Sequence, residues 1–195
     1  MPRPTSPARR PLPHQVRIIG GIWKRTRLDV ADRPGLRPTP DRVRETLFNW
    51  LGQDLSGWRV VDAFAGTGAL GLEAASRGAA DVLLVESEGA LVDQMRAVVR
   101  KLAADNVRVQ RGNALSVLAG LPAASVDLVF LDPPFDANLF DKALAAAVPA
   151  LAPGGAIYLE APAAWQGEAL APYGLEVVRH LKAGMVHGHL LRRVA

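Results

Sequence analysis

From Trp58 onward the chain repeats one pattern: a short apolar run rich in β-branched residues, a turn, then a segment of helical spacing. Arg59–Phe64, Asp81–Glu86, Val107–Gln110, Val126–Leu131 and Ala156–Glu160 read as strands. Leu70–Arg77, Glu88 to about Ala103, Ala114–Ala119 and Leu139–Ala150 read as the helices between them. Strands joined this way pair in parallel, because each helix returns the chain across the sheet. The tail breaks the pattern. Leu175–His180 and Met185–Arg192 are separated only by a turn at Ala183-Gly184. So short a turn cannot make a crossover, so these two strands pair antiparallel. The expected fold is α/β: a mainly parallel, seven-stranded, doubly wound sheet closed by an antiparallel hairpin.

The segment before Trp58 is different in kind. Residues 1–58 hold 11 Lys/Arg against 5 Asp/Glu, a balance of +6, while residues 59–195 balance at −2. A basic front half suggests a polyanionic partner. Residues 1–15 are rich in Pro and Arg and are expected to be disordered in the free protein. They lack the apolar core of a secretory signal. Residues 16–57 are read as a small RNA-facing extension, and 58–195 as the main domain. Val16–Gly21 and Arg25–Val30 suggest a hairpin carrying Arg17, Lys24, Arg25 and Arg27. Trp23 either stacks on a base or covers the hairpin's own apolar face. Thr39 precedes Pro40, which predicts an N-cap and a Pro at the first helical position. The helix from Asp41 to about Asp54 puts Val43, Leu47, Trp50 and Leu51 on one stripe, with Arg42, Glu45 and Asn49 on another face. The chain has no Cys, so disulfides, Cys-bound zinc and thiol catalysis are excluded. No apolar stretch approaches the roughly 20 residues of a membrane span. A cytoplasmic, monomeric protein is expected.

Two strand ends carry the chemistry. Gly66-Thr67-Gly68-Ala69-Leu70-Gly71 fits G-x-G-x-x-G between a strand and a helix, and Glu86 lies twenty residues beyond Gly66. Glycines let backbone approach a ligand, and a carboxylate ending the next strand can accept both ribose hydroxyls. A dinucleotide would fit this loop, but Asp62 sits four residues before Gly66 and would repel a pyrophosphate. S-adenosylmethionine carries an ammonium and a sulfonium and suits an acidic mouth. Phe64, Ala65, Gly66 and Gly68 are therefore candidate donor-binding residues with Asp62 and Glu86. Asn113-Ala114 is placed to meet the adenine edge, or else Asn113 caps the helix that begins at Ala114.

Asp132-Pro133-Pro134-Phe135 ends the fourth strand at once, since neither proline offers an N–H to a ladder. Ligands bind at such carboxyl ends. An amine on a nucleobase is a poor nucleophile, because its lone pair is delocalised into the ring. Hydrogen bonds from the amine to Asp132 and to the Pro133 carbonyl favour a tetrahedral nitrogen aimed at a methyl donor. Phe135 can stack on a flipped base. The reading is a Rossmann-like class I methyltransferase using S-adenosylmethionine. No metal site is argued, and His187 and His189 are read as two side chains on one sheet face.

Val16–Gly21, Gly35-Leu36-Arg37-Pro38-Thr39, Asp41–Leu51, Asp62–Gly71 and Asp132–Phe135 together resemble the RsmD-type methyltransferases. These bacterial enzymes methylate the 2-amino group of one guanine in 16S ribosomal RNA. The resemblance runs from about Val16 to the C-terminus. It implies action on the 30S subunit or its assembly intermediate. It also implies that Arg37, Thr39, Arg42 and Glu45 lie on the active-site rim. Two departures stand out. Asn113 stands where an acid is common among methyltransferases, and Glu86-Ser87-Glu88 differs from the frequent Glu-x-Asp. The residues alone leave other targets open: an adenine amine, a protein glutamine amide, or RNA binding without catalysis.

Overall fold

A computed structural model describes residues 15–29, 39–135 and 139–194. After β1 (Gln15–Arg17), β2 (Arg27–Asp29) and α1 (Asp41–Leu51) come the βα units. These are β3 (Arg59–Asp62), α2 (Ala69–Ser76), β4 (Asp81–Glu86), α3 (Gly89–Leu102), β5 (Val107–Arg111), α4 (Ala114–Ala119), β6 (Val126–Leu131), α5 (Phe140–Ala147) and β7 (Leu151–Ala161). β8 (Leu175–Ala183) and β9 (Val186–Arg193) close the chain. The seven-stranded sheet runs β5-β4-β3-β6-β7-β9-β8. Its first five strands are parallel, and β9 is antiparallel to both β7 and β8. This is the fold expected from the sequence.

The strands read as continuous apolar runs because both faces are covered. Val60, Val82, Leu84, Leu128 and Phe130 pack on one face, and Val61, Leu83, Val85, Val129 and Leu131 on the other. Consecutive residues thus serve opposite cores, as the period of two requires. β7 is longer than its apolar run. It begins at Leu151 and carries Pro153-Gly154-Gly155, with a register shift against β6 between Val126 and Leu128. The bulge accommodates residues that otherwise signal a loop.

The front segment is joined to this core. Val16, Ile18, Leu28, Leu47 and Phe48 belong to the same apolar cluster as Val60 and Phe130. The hairpin strands are shorter than expected, because Gly21 and Arg25 take positive φ and bend the chain between them. Glu73 on α2 is the joint. Its Oε2 accepts the Ile19 N–H at 2.8 Å and its Oε1 the Gly20 N–H at 2.7 Å. Arg44 reaches it from α1 at 3.3 Å, and Arg77 at 2.9 Å. Arg44 and Glu73 are both fully enclosed.

One local expectation is corrected. Thr39 does not cap α1; the position before the helix is Pro40, and no side chain caps it. The Thr39 hydroxyl instead donates to Glu160 at 3.1 Å, and its carbonyl accepts from Arg44 at 3.2 Å. The hydroxyl makes a charge-assisted bond to a buried carboxylate in place of a solvated bond accepted from a helix N–H.

Candidate active site

β4, β3, β6 and β7 lie side by side in that order, and their carboxyl ends form a row. Each supplies an acid: Glu86 ends β4, Asp62 ends β3, Asp132 follows β6, and Glu160 is the penultimate residue of β7. All four line one cavity of about 650 Å³, with Thr39, Phe64, Ala65, Gly66, Pro133 and Phe135 among the other walls. That volume is ordinary for a small-molecule site. No Lys or Arg lines it among the described residues. The donor set therefore suits a cation and opposes a pyrophosphate.

The glycine loop positions the first two acids. Gly66 and Gly68 adopt φ of 54° and 79°, a region that favours glycine. The Gly66 N–H donates to Glu86 Oε2 at 2.9 Å, and the Glu88 N–H to Oε1 at 2.9 Å. Asp62 Oδ2 accepts the Gly71 N–H at 3.0 Å. A Cβ on Gly71 would lie 2.2 Å from Leu84 Cδ2, so any side chain there would have to displace Leu84 where α2 packs on the sheet.

The proline turn builds another wall of the cavity. Asp132 keeps part of its surface open to the cavity, and Phe135 is 39% exposed at the rim. The Phe135 ring lies 6.1 Å from Phe140, which in turn lies 6.0 Å from Trp165. Glu160 was not singled out from the sequence. It is 5% exposed, and its Oε1 accepts from Thr39 Oγ1 at 3.1 Å and from Tyr158 Oη at 3.0 Å. A signal for it existed: Leu159-Glu160 ends an apolar run in an acid, as Val85-Glu86 does.

The family model described as Conserved hypothetical protein 95 matches residues 16–192. Ribosomal RNA small subunit methyltransferase D of Escherichia coli (strain K12) is 49% identical over 132 residues, covering 67% of this chain. The chain belongs to the RsmD-type family. The match spans 65% of that relative's length. Among solved structures, a putative methyltransferase from Escherichia coli superposes with a TM-score of 0.80 at 38% identity. It covers 92% of this chain and 98% of its own. A putative methylase from Haemophilus influenzae gives 0.76 at 30% identity, over 93% and 99%.

Other residues of this RsmD-type chain are placed as follows. Asn113 and Ala114 are outside the cavity walls, and Asn113 Oδ1 accepts the Ser116 N–H at 3.1 Å. Of the two readings of Asn113, the structure has the helix cap. Trp23 packs against the core rather than standing free. Arg17, Lys24, Arg25, Arg42 and Glu45 are exposed, and Arg17 pairs with Asp41 at 3.2 Å. Arg37 lies outside the described residues. His180, His187 and His189 come together across β8 and β9. His189 is committed elsewhere, with Nδ1 3.2 Å from the Leu159 carbonyl and Nε2 accepting the Trp165 N–H at 3.0 Å. No helix is long and apolar enough to cross a membrane among the described residues.

Burial and mutual repulsion raise three of these acids. Burial, then Glu160 and Asp62, push Asp132 well above the usual carboxylate range. Burial raises Glu160 too, opposed by the Tyr158 and Thr39 hydroxyls. Asp62 is pushed up to about 7, chiefly by burial; the Gly71 N–H opposes this, and Glu86 and Glu160 add to it. A raised folded-state value gives stability that is present below the unfolded value of about 4. That stability is lost as pH rises to about 7. His189, lowered to about 4, works in the opposite direction over part of that window. A comparison of melts therefore isolates Asp62. Asp62→Asn should gain on the parent protein as pH rises from 5 to 8, and a constant difference would remove the effect.

Proposed function

We propose that this chain transfers a methyl group from S-adenosylmethionine to the exocyclic 2-amino group of a guanine in 16S ribosomal RNA. The substrate is the 30S subunit or its assembly intermediate, so the reaction belongs in the cytoplasm. The observation that carries the reading is the row of acids that includes the Asp132-Pro133-Pro134-Phe135 turn. This constellation binds a cation at one end and an amine at the other. The names of the ribosomal RNA methyltransferase relatives support the RNA substrate.

The donor supplies an electrophilic methyl when bound. Glu86, held by the loop amides, has acceptor capacity for ribose hydroxyls, while Phe64, Ala65, Gly66 and Gly68 let the chain close on the ligand. Asp62 offers negative charge to its cationic groups. On the acceptor side, Asp132 and the Pro133 carbonyl accept the two amine hydrogens and turn the nitrogen lone pair toward the methyl carbon. The N–C bond would form as the methyl–sulfur bond breaks and leaves a neutral thioether, and the nitrogen would pass one proton to Asp132, the adjacent base in its ionised form. Phe135 covers the base plane. In this reading the exposed cations Arg17, Lys24, Arg25 and Arg42 contact phosphates, and Thr39, which lines the cavity, and exposed Glu45 belong to the substrate rim.

Purified protein with labelled donor and undermethylated 30S particles should place label in 2-methylguanine. Label in adenine, or only in protein, sinks the reading. Glu86→Ala should weaken donor binding by at least about tenfold, about 1.4 kcal/mol, by calorimetry. Unchanged affinity would remove Glu86 from the donor site and favour an RNA-binding role without catalysis.

A further inference from the structure

The proline turn recognises an amine and is indifferent to which base carries it. Adenine, cytosine and guanine each have an exocyclic amine. They differ in the neighbouring ring nitrogen: guanine N1 carries a hydrogen, whereas adenine N1 and cytosine N3 offer a lone pair. An acceptor placed beside the one that holds the amine would therefore select guanine by its N1–H.

Glu160 stands in that place. Leu131 on β6 pairs with Leu159 on β7, so Asp132 and Glu160 follow as neighbours on adjacent parallel strands. Both line the cavity, and Glu160 is on the side of Asp132 away from Glu86 and Asp62. It thus lies beyond the donor end of the row. Thr39 and Tyr158 both donate to Oε1, which fixes the carboxylate. Oε2 takes part in neither bond. No fully enclosed side-chain oxygen lacks a partner among the described residues, so Oε2 opens to the cavity. A rotamer fixed by two hydroxyls, with one free oxygen facing the ligand, is a pre-organised acceptor.

We propose that Glu160 is the guanine-selecting residue, its Oε2 accepting the ring N1–H while Asp132 and the Pro133 carbonyl hold the 2-amino group. The inference rests on the guanine reading above. Three donors on the guanine edge then meet three acceptors. Adenine or cytosine in the same pose sets a ring lone pair against the carboxylate, leaving both unpaired and repelling. A glutamine amide has no third donor to offer.

The test uses 30S particles reconstituted with 16S RNA carrying either guanine or 2-aminopurine at the target position. 2-Aminopurine keeps the 2-amino group but has a lone pair at N1. The unmodified protein should prefer guanine by at least about 100-fold in kcat/KM. Glu160→Gln, whose amide can donate to that lone pair, should narrow the preference to within about tenfold. Donor affinity should stay within about threefold. The missing O6 of 2-aminopurine is common to both proteins and cancels in the comparison. Guanine methylated by both proteins with the same preference overturns the Glu160 assignment alone. No guanine methylation by the unmodified protein overturns the underlying reading and this one with it. If Glu160→Gln does not fold, Tyr158→Phe loosens the hold on Oε1 and should lower the preference severalfold; an unchanged preference overturns the assignment equally.

Discussion

Asp132→Ala is expected to lower kcat by at least about 10³-fold, while S-adenosylmethionine binds within about tenfold of its original affinity. The split follows from position. Glu86 and Asp62 sit at the ends of β4 and β3, on one side of the row, and Asp132 lines the same cavity from the end of β6, where the proposed reading puts the amine. Removing a pre-organised hydrogen-bonding group from a water-poor site costs about 10² to 10³ in rate by itself. Asp132 is also the nearest base for the amine proton, which adds to that loss. The variant should not be unstable. Burial and two neighbouring acids hold Asp132 above the usual carboxylate range, so deleting it relieves repulsion on Glu160 and Asp62. Single-turnover rates with saturating donor and 30S particles check the first half, and calorimetry the second. Loss of donor binding together with turnover would place Asp132 in the donor site instead. A kcat within tenfold would leave the turn a strand ender and nothing more.

The parallel sheet, its helices and the antiparallel hairpin were legible because strand and helix periods differ and because a two-residue turn forbids a crossover. Asp62, Glu86 and Asp132 were legible from their spacing to turn residues: Asp62 lies four residues before Gly66, Glu86 twenty beyond it, and Asp132 directly precedes Pro133. Glu160 was not, because its apolar run ends in an acid with neither a glycine loop nor a proline directly after it; Ala161 carries the strand on to Pro162. Its importance comes from register, since β7 lies against β6 with Leu159 opposite Leu131, and pairing between strands is not written in either one. Thr39 shows the same limit from the other side. Thr-Pro-Asp is a good local cap pattern, yet the hydroxyl goes to a carboxylate 121 residues away. Arg44 gives no sign of burial in the sequence, because a charged residue on an amphipathic helix reads as solvated. It is fully enclosed, and its partner Glu73 lies in a helix whose eight residues are all buried.

That pair carries the other large effect. Glu73→Ala is expected to destabilise the protein by about 3–5 kcal/mol, the cost of stripping one partner from a buried charge cluster. Four donors lose their acceptor together: the Ile19 and Gly20 amides, Arg44 and Arg77. Arg44 keeps Asp41 at 2.6 Å, but Asp41 is half solvated, so the guanidinium remains buried and under-neutralised. For a chain of this size the melting temperature should fall by about 10 °C or more. Glu73→Gln keeps an acceptor for one or two donors without the charge and should lose less. The damage should reach the active site through named contacts, because Arg44 also donates to the Thr39 carbonyl, and the Thr39 hydroxyl donates to Glu160. In Glu73→Ala assayed below its melting range, guanine turnover should fall while donor affinity holds, since the donor loop hangs on Gly66, Gly71 and Glu86 instead. Urea melts and single-turnover rates measure the two halves. A stability loss under about 1 kcal/mol would mean that apolar packing of α1 and the hairpin, not the ion cluster, joins the front segment to the sheet.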